Sequence, residues 1–301
     1  MLAKIMRRRH FFWYSLILIT SCTAASNPND RDSPSNARNF PEKLRFTVTE
    51  IPSLEELQRN YGGLRTALEE VLETKLEFVP VETYIAAAAA LQSDQLDLVL
   101  TGPSEYVIMR ARTNAVPVIG ITRPNYHAAI CVSANSKIES VAQLKGKKIA
   151  MWQLGSTSGY LGPTKFLIDA GLDPKSDLKI LMLGSQGLPA LKKGEVDAWG
   201  GSTVKYEKFL QDEGLSESEL PLIVKGPLLP KDLFVASSKL DPEFVKEMRD
   251  RAIKNQDKLI QSLLSVEEGK YKGSQIVPAN DADYNMIREV YKAIGQGSFV
   301  Q

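Results

Sequence analysis

The chain has 301 residues, 43% of them hydrophobic and 24% charged, with 37 basic against 36 acidic side chains. That composition excludes disorder over most of the length and excludes a strongly basic nucleic-acid binder. Two cysteines and two histidines, His10 and His127, exclude a disulfide scaffold and leave little for a metal centre. No cofactor or metal is expected.

Residues 1–22 read as an export signal. Lys4, Arg7, Arg8 and Arg9 precede the nine-residue apolar run Phe11–Ile19, which falls short of the about 20 residues that a bilayer span needs. The run ends in Ile19-Thr20-Ser21-Cys22, which resembles a bacterial lipobox. On that reading Cys22 is lipidated and begins the mature chain; an ordinary signal peptide is the alternative. Residues 23–42, rich in Ser, Asn, Asp and Pro, read as a flexible tether of roughly 25 Å root-mean-square span. The other thiol, Cys131, lies in the apolar run Ala128–Val132 and reads as an inert core residue.

From Leu44 onward the pattern alternates strands and helices. Leu44–Thr49 has period two, and Leu54, Leu57, Tyr61, Leu64, Leu68 and Val71 recur at helical spacing. Strands are expected at 76–79, 96–100 and 115–119, with helices at 83–91 and after Pro103. The alternation resumes with strands at 148–152, 178–183 and 196–199 and helices at 163–170 and 188–193. Such alternation means a mostly parallel sheet covered by helices. Residues 91–98 (LQSDQLDL) and 191–198 (LKKGEVDA) match as helix end, turn and strand start, with Asp97 and Asp197 equivalent. This predicts two similar α/β lobes, 43–124 with 233–301 and 125–232. Ligands of open α/β sheets sit at the carboxyl ends of the strands, so a cleft between the lobes is the expected site. Gly226-Pro227-Leu228-Leu229-Pro230 reads as a stiff connection and 233–236 as a late strand. Hinges are expected near Pro124–Tyr126 and Pro230–Asp232.

Gly155-Ser156-Thr157-Ser158-Gly159 lies between an expected strand and helix. Free N–H groups at a helix start, glycines and three hydroxyls make an oxyanion cradle that needs no lysine. The alternative is a well-capped helix with a Ser/Thr-rich turn. No nucleophile–base pair or paired-carboxylate motif accompanies it.

The Ser-Thr-Ser-Gly turn resembles that of the PhnD-type family, the phosphonate- and phosphite-binding periplasmic components of ABC transporters. Val81-Glu82-Thr83-Tyr84, Leu96–Tyr106 (LDLVLTGPSEY) and Gly226–Asp232 (GPLLPKD) match further family segments in order. The resemblance implies a two-lobed type II periplasmic binding fold with a hinge, located in the periplasm and held to the membrane by its lipid anchor alone. It implies a monomer that captures a small phosphorus oxyanion and delivers it to an ABC permease. Carried over by position, Tyr84 and Tyr126 offer phenolic hydroxyls, and Ser156, Thr157 and Ser158 form the cradle. Asp232 faces the ligand as an acceptor, a role that requires a proton or cation between it and the anion and so favours a ligand carrying a P–OH or an ammonium group. His127 is either a ligand contact or structural. Thr101, Trp199 and Val204 are candidate pocket walls, although Trp199, like Trp152, equally suits a core. Aminoalkylphosphonate-binding members place an acid where this chain has Val204. The implied preference is therefore for phosphite or methylphosphonate, unless Glu207 supplies the missing charge. Two other readings stand beside this one: a ligand-sensing component of a signalling system, and an enzyme on the same fold acting on phosphorus esters through Cys131 or a cradle serine.

Overall fold

The runs Leu98–Thr101 and Ala198–Ser202 are buried at every position, as strands covered on both faces must be. They stand at the centres of two sheets. The structure, a computed structural model, describes residues 40–49, 51–266 and 270–301; the expected export signal, Cys22 and nearly all of the expected tether lie outside them. The chain first alternates through β1 (Lys43–Val48), α1 (Leu54–Leu72), β2 (Lys75–Phe78), α2 (Tyr84–Gln92), β3 (Leu98–Thr101), α3 (Pro103–Thr113) and β4 (Val116–Ile121). It continues through β5 (His127–Val132), β6 (Lys148–Met151), α4 (Gly162–Asp169), β7 (Lys179–Met182), α5 (Gly187–Lys192), β8 (Ala198–Ser202), α6 (Thr203–Glu213) and β9 (Leu222–Leu228). It ends with β10 (Asp232–Ala236), α7 (Pro242–Lys254), α8 (Gln256–Leu263), β11 (Ile276–Pro278) and α9 (Asn285–Ala293).

The six-stranded sheet has the order β11-β4-β10-β3-β1-β2, and the five-stranded sheet β7-β6-β8-β5-β9. Both sheets are mixed and not mostly parallel as expected, five of the nine strand pairings being antiparallel, yet their topologies correspond. β1 is parallel to β2 and β3, and β10 runs antiparallel to β3. Likewise β6 is parallel to β7 and β8, and β5 runs antiparallel to β8. The aspartates of the internal repeat do one job in both sheets. Asp97 Oδ2 accepts the backbone N–H of Arg45 on β1 at 2.7 Å, and Asp197 Oδ2 that of Lys148 on β6 at 2.8 Å. Each carboxylate thus joins the start of one parallel strand to the residue before the next.

Alternating strand residues feed a core on each face of each sheet. In the first, Phe46, Phe78 and Phe234 pack beneath α1, α7 and α8, while Val99 and Val235 face Tyr106 of α3 and Ile287 of α9. The helices after β10 therefore pack on the first sheet. In the second, Ile130, Ile149 and Met151 face Leu167, and Cys131, Ala150 and Trp199 face Leu191 and Tyr206.

Two segments cross between the sheets, 122–126 from β4 to β5 and 229–231 from β9 to β10. They lie side by side: the N–H of Leu229 donates to the Tyr126 carbonyl at 2.8 Å. The expected stiff connection differs, because Gly226, Pro227 and Leu228 belong to β9. That strand is an edge, where a proline without an N–H is tolerated. Asp232, assigned by sequence to the second lobe, is the first residue of β10 and pairs with Ile121 in the first sheet.

Candidate functional site

The cradle forms where β6 ends. Gly155 turns the chain at φ +85°, a left-handed conformation that favours glycine. Ser156 is an N-cap: its Oγ accepts from the Gly159 N–H at 3.3 Å. Its oxygen thereby caps the turn as an acceptor, which leaves the hydroxyl hydrogen uncommitted by this bond. Residues Thr157–Leu161 form one π-helical turn that runs into α4. Gly159 is needed by close approach, since a Cβ there would lie 2.4 Å from the Trp152 Cβ.

Thr157 and Ser158 are both buried. The Thr157 hydroxyl donates to Ser104 Oγ at 2.8 Å, and the Ser104 N–H donates back to Thr157 Oγ1 at 3.2 Å. Ser104 lies in the first turn of α3, beyond β3 of the other sheet. The two hydroxyls thus join helix starts from the two lobes. The Ser104 hydroxyl in turn donates to Glu105 Oε2 at 2.9 Å. Thr101, at the end of β3, shares a hydrogen bond of 3.2 Å with the Thr49 hydroxyl. Thr157 also borders a mainly apolar cavity of about 270 Å³ between α4 and α9.

Ser158 leads to the crossing segments. It lies beside Tyr126 of the first of them, whose phenol burial pushes up. The Arg123 guanidinium lies 3.5 Å from the Tyr126 ring centroid, within reach of a cation–π attraction. Arg123 also donates to Asp232 Oδ1 at 3.3 Å, the Tyr271 hydroxyl donates to Oδ2 at 2.9 Å, and Lys270 Nζ lies 3.3 Å from Oδ2. Burial by itself would raise the Asp232 carboxyl; the Arg123 and Lys270 charges and the Tyr271 bond outweigh it and hold it below the usual carboxylate range. The sequence reading set a proton or cation of the ligand against Asp232; in the structure Arg123, Lys270 and the Tyr271 hydroxyl engage both carboxylate oxygens.

Sequence reasoning missed Ser104, Glu105, Arg123, Lys270 and Tyr271. A signal existed for two of them. Ser104 and Glu105 lie inside the quoted LDLVLTGPSEY segment, at the start of a helix facing the expected cleft.

The remaining candidates are placed as follows. Tyr84 is the first residue of α2, which Thr83 caps by accepting the Ala86 N–H at 3.1 Å. His127 opens β5, and its Nδ1 donates to the Gly226 carbonyl at 2.9 Å, tying β5 to β9. Trp199 is 3% exposed and takes the core role; a Cβ on Gly201 would lie 2.0 Å from its ring. Trp152, half-buried, has the Lys205 ammonium 3.3 Å from its ring centroid. Val204 is half-buried in the first turn of α6, which contains no acid. Glu207 is bound by the Asn125 amide at 2.7 Å through each oxygen. Cys131 is wholly buried, and burial pushes its thiol well up, which removes it as a nucleophile. Among the described residues, no group of His, Cys, Asp or Glu side chains is placed to hold a metal ion.

Comparison with known proteins gives this geometry a family. The phosphate-import protein PhnD of Mycolicibacterium smegmatis is 24% identical over 96% of this chain and 98% of its own. A probable ABC transporter phosphite-binding protein, PhnD1 of Prochlorococcus marinus, is 24% identical over 85% of this chain and 91% of its own. The solved structure of PhnD1 from that organism in complex with methylphosphonate superposes with a TM-score of 0.68 at 22% identity, covering 85% of this chain and 99% of that one. Periplasmic binding proteins of this kind share the two-lobed fold described above. Residues 46–284 match the family model for the periplasmic substrate-binding protein of phosphonate ABC transporters, so the chain belongs to that family, whose members are binding components of importers and not enzymes.

Proposed function

We propose that this protein captures a small, amine-free phosphorus oxyanion between its lobes and presents it to an ABC permease, with phosphite or methylphosphonate bound ahead of phosphate. The observation that carries the reading is the meeting of Thr157 and Ser104. Two hydroxyls and a backbone N–H from opposite lobes converge in a buried place at two helix starts. An oxyanion seated between them would receive hydrogen bonds from both lobes, and the lobes would close by turning about the segments 122–126 and 229–231. Ser158, the Tyr126 hydroxyl and Tyr84 at the start of α2 are proposed to extend the same donor set. The residues that hold Asp232 make it a support for Tyr126.

The preference for an amine-free ligand is supported by the first turn of α6, which has no acid, and by the engagement of Glu207 with Asn125. An ammonium group buried there would lack a partner. Relatives named for phosphate and for phosphite, and one solved with methylphosphonate, agree with a small ligand. Calorimetric titration of the mature protein with phosphite, methylphosphonate, phosphate and 2-aminoethylphosphonate tests the order. Phosphite and methylphosphonate should bind tightest; tightest binding of 2-aminoethylphosphonate would refute it.

We also propose that Cys22 carries a diacylglycerol and that residues 23–42 tether a monomeric binding domain to the membrane. Support comes from the apolar run ending in Ile19-Thr20-Ser21-Cys22. Mass spectrometry of the membrane-extracted protein should find a lipid-modified Cys22 at the amino terminus. An unmodified terminus elsewhere would exclude the anchor.

A further inference from the structure

We propose that Glu105 is a positioning residue that makes Ser104 a hydrogen-bond acceptor, so that the cleft selects oxyanions carrying a P–OH hydrogen and rejects sulfonates of the same charge and shape. The inference rests on the phosphorus-oxyanion reading above and specifies the form of the ligand.

A serine hydroxyl has one hydrogen and two lone pairs. Ser104 gives its hydrogen to Glu105 Oε2 and receives that of Thr157. Ser104, Glu105 and Thr157 are 0%, 7% and 4% exposed, so water does not compete for these bonds. A hydroxyl donating to a carboxylate makes a stronger bond than one donating to another hydroxyl. The Ser104 hydrogen is therefore held on the Glu105 side, and its oxygen presents a lone pair toward Thr157. The backbone fixes this arrangement. The Ser104 N–H points at Thr157 Oγ1, and the missing side chain of Gly102 makes room for the carboxylate, since a Cβ there would lie 2.6 Å from Glu105 Oε2.

An oxyanion placed between the two residues meets two donors, the Thr157 hydroxyl and the Ser104 N–H, and one acceptor, Ser104 Oγ. The acceptor requires a hydrogen from the ligand. The monoanions of methylphosphonate and phosphite each carry one P–OH, as does hydrogen phosphate. Methanesulfonate has the charge and nearly the shape of the methylphosphonate monoanion but no O–H. Its oxygen would face the Ser104 lone pair with nothing between them, leaving a buried polar group unpaired. Sites built around a ligand hydroxyl reject analogues that lack it far more strongly than apolar pockets reject a change in size. Asp232 does not fill this role, because Arg123, Lys270 and Tyr271 already hold its oxygens.

The test is the ratio of affinities for methylphosphonate and methanesulfonate, measured by calorimetry on the mature protein at a pH where methylphosphonate is the monoanion. The unaltered protein should bind methylphosphonate at least about 100-fold more tightly. In Glu105→Gln the carboxamide can donate to Ser104 and free its hydrogen, so the ratio should fall at least about tenfold. Ser104→Ala removes the acceptor and should lower the ratio as well; it decides the matter if Glu105→Gln does not fold. A merely structural role would weaken both ligands together and leave the ratio unchanged. Equal affinities in the unaltered protein, or an unchanged ratio in the variants, would overturn the inference and leave the phosphorus reading standing. Failure of methylphosphonate, phosphite and phosphate all to bind would overturn that reading and this inference with it.

Discussion

Replacing Asp232 by Asn should destabilise the protein by about 3–5 kcal/mol, the cost of removing one partner from a buried ion pair. Asp232 is 3% exposed and holds Arg123 of one crossing segment and Lys270 and Tyr271 of the segment after α8. An amide of the same shape keeps the packing but leaves the Arg123 and Lys270 charges without their shared carboxylate. The effect also has a pH signature. The native carboxyl is held below its unfolded value, so its contribution is complete above the unfolded value and is lost as pH falls through the native one. Urea midpoints measured across the acid range should show a large gap between the two proteins at neutral pH that closes as pH falls through that native value. A gap under about 0.5 kcal/mol at neutral pH, the size expected of an unimportant surface change, would show that the cluster does not hold the crossing together.

Thr157→Val should weaken ligand binding about tenfold to a hundredfold. Valine keeps the volume and removes the hydroxyl, and a hydrogen bond to a charged partner is worth roughly 1.5–3 kcal/mol. Lys165→Ala should change affinity far less, although Lys165 lies on α4 just beyond the cradle. Its ammonium is paired with Asp169 one helical turn on, and exposed pairs of this kind contribute little. Comparable losses at the two positions would mean that net charge, and not the cradle, binds the anion. Circular dichroism melts of both variants separate loss of binding from loss of fold.

Much of this architecture is legible in the sequence because it is written locally. The strand and helix periods follow from one-dimensional hydrophobic patterns, and the equivalence of Asp97 and Asp197 marks the repeated lobe. The Gly155–Gly159 turn announces a helix start through its composition alone. What escaped detection depends on distance along the chain. Arg123 and Asp232 are 109 residues apart, and Asp232 and Tyr271 are 39 apart, so no local pattern links them. Ser104 and Thr157 are 53 residues apart, and a single serine after Gly102-Pro103 carries no mark of its partner. The edge strands were hard for a different reason. β9 contains Gly226 and Pro227, which read as a connection, and β11 has three residues and ends in Pro278. Trp199 and His127 show the limit of residue type: each suits a pocket or a core, and backbone register decides which.

A crystal structure of the mature protein with methylphosphonate is the most direct test of the central claim, that an oxyanion is bound between Thr157 of one lobe and Ser104 of the other. The phosphorus centre should lie between these residues, with its oxygens about 2.7–3.2 Å from Thr157 Oγ1 and the Ser104 nitrogen. A ligand that touches neither residue, or that is held by Arg123 and Lys270 alone, would contradict the account.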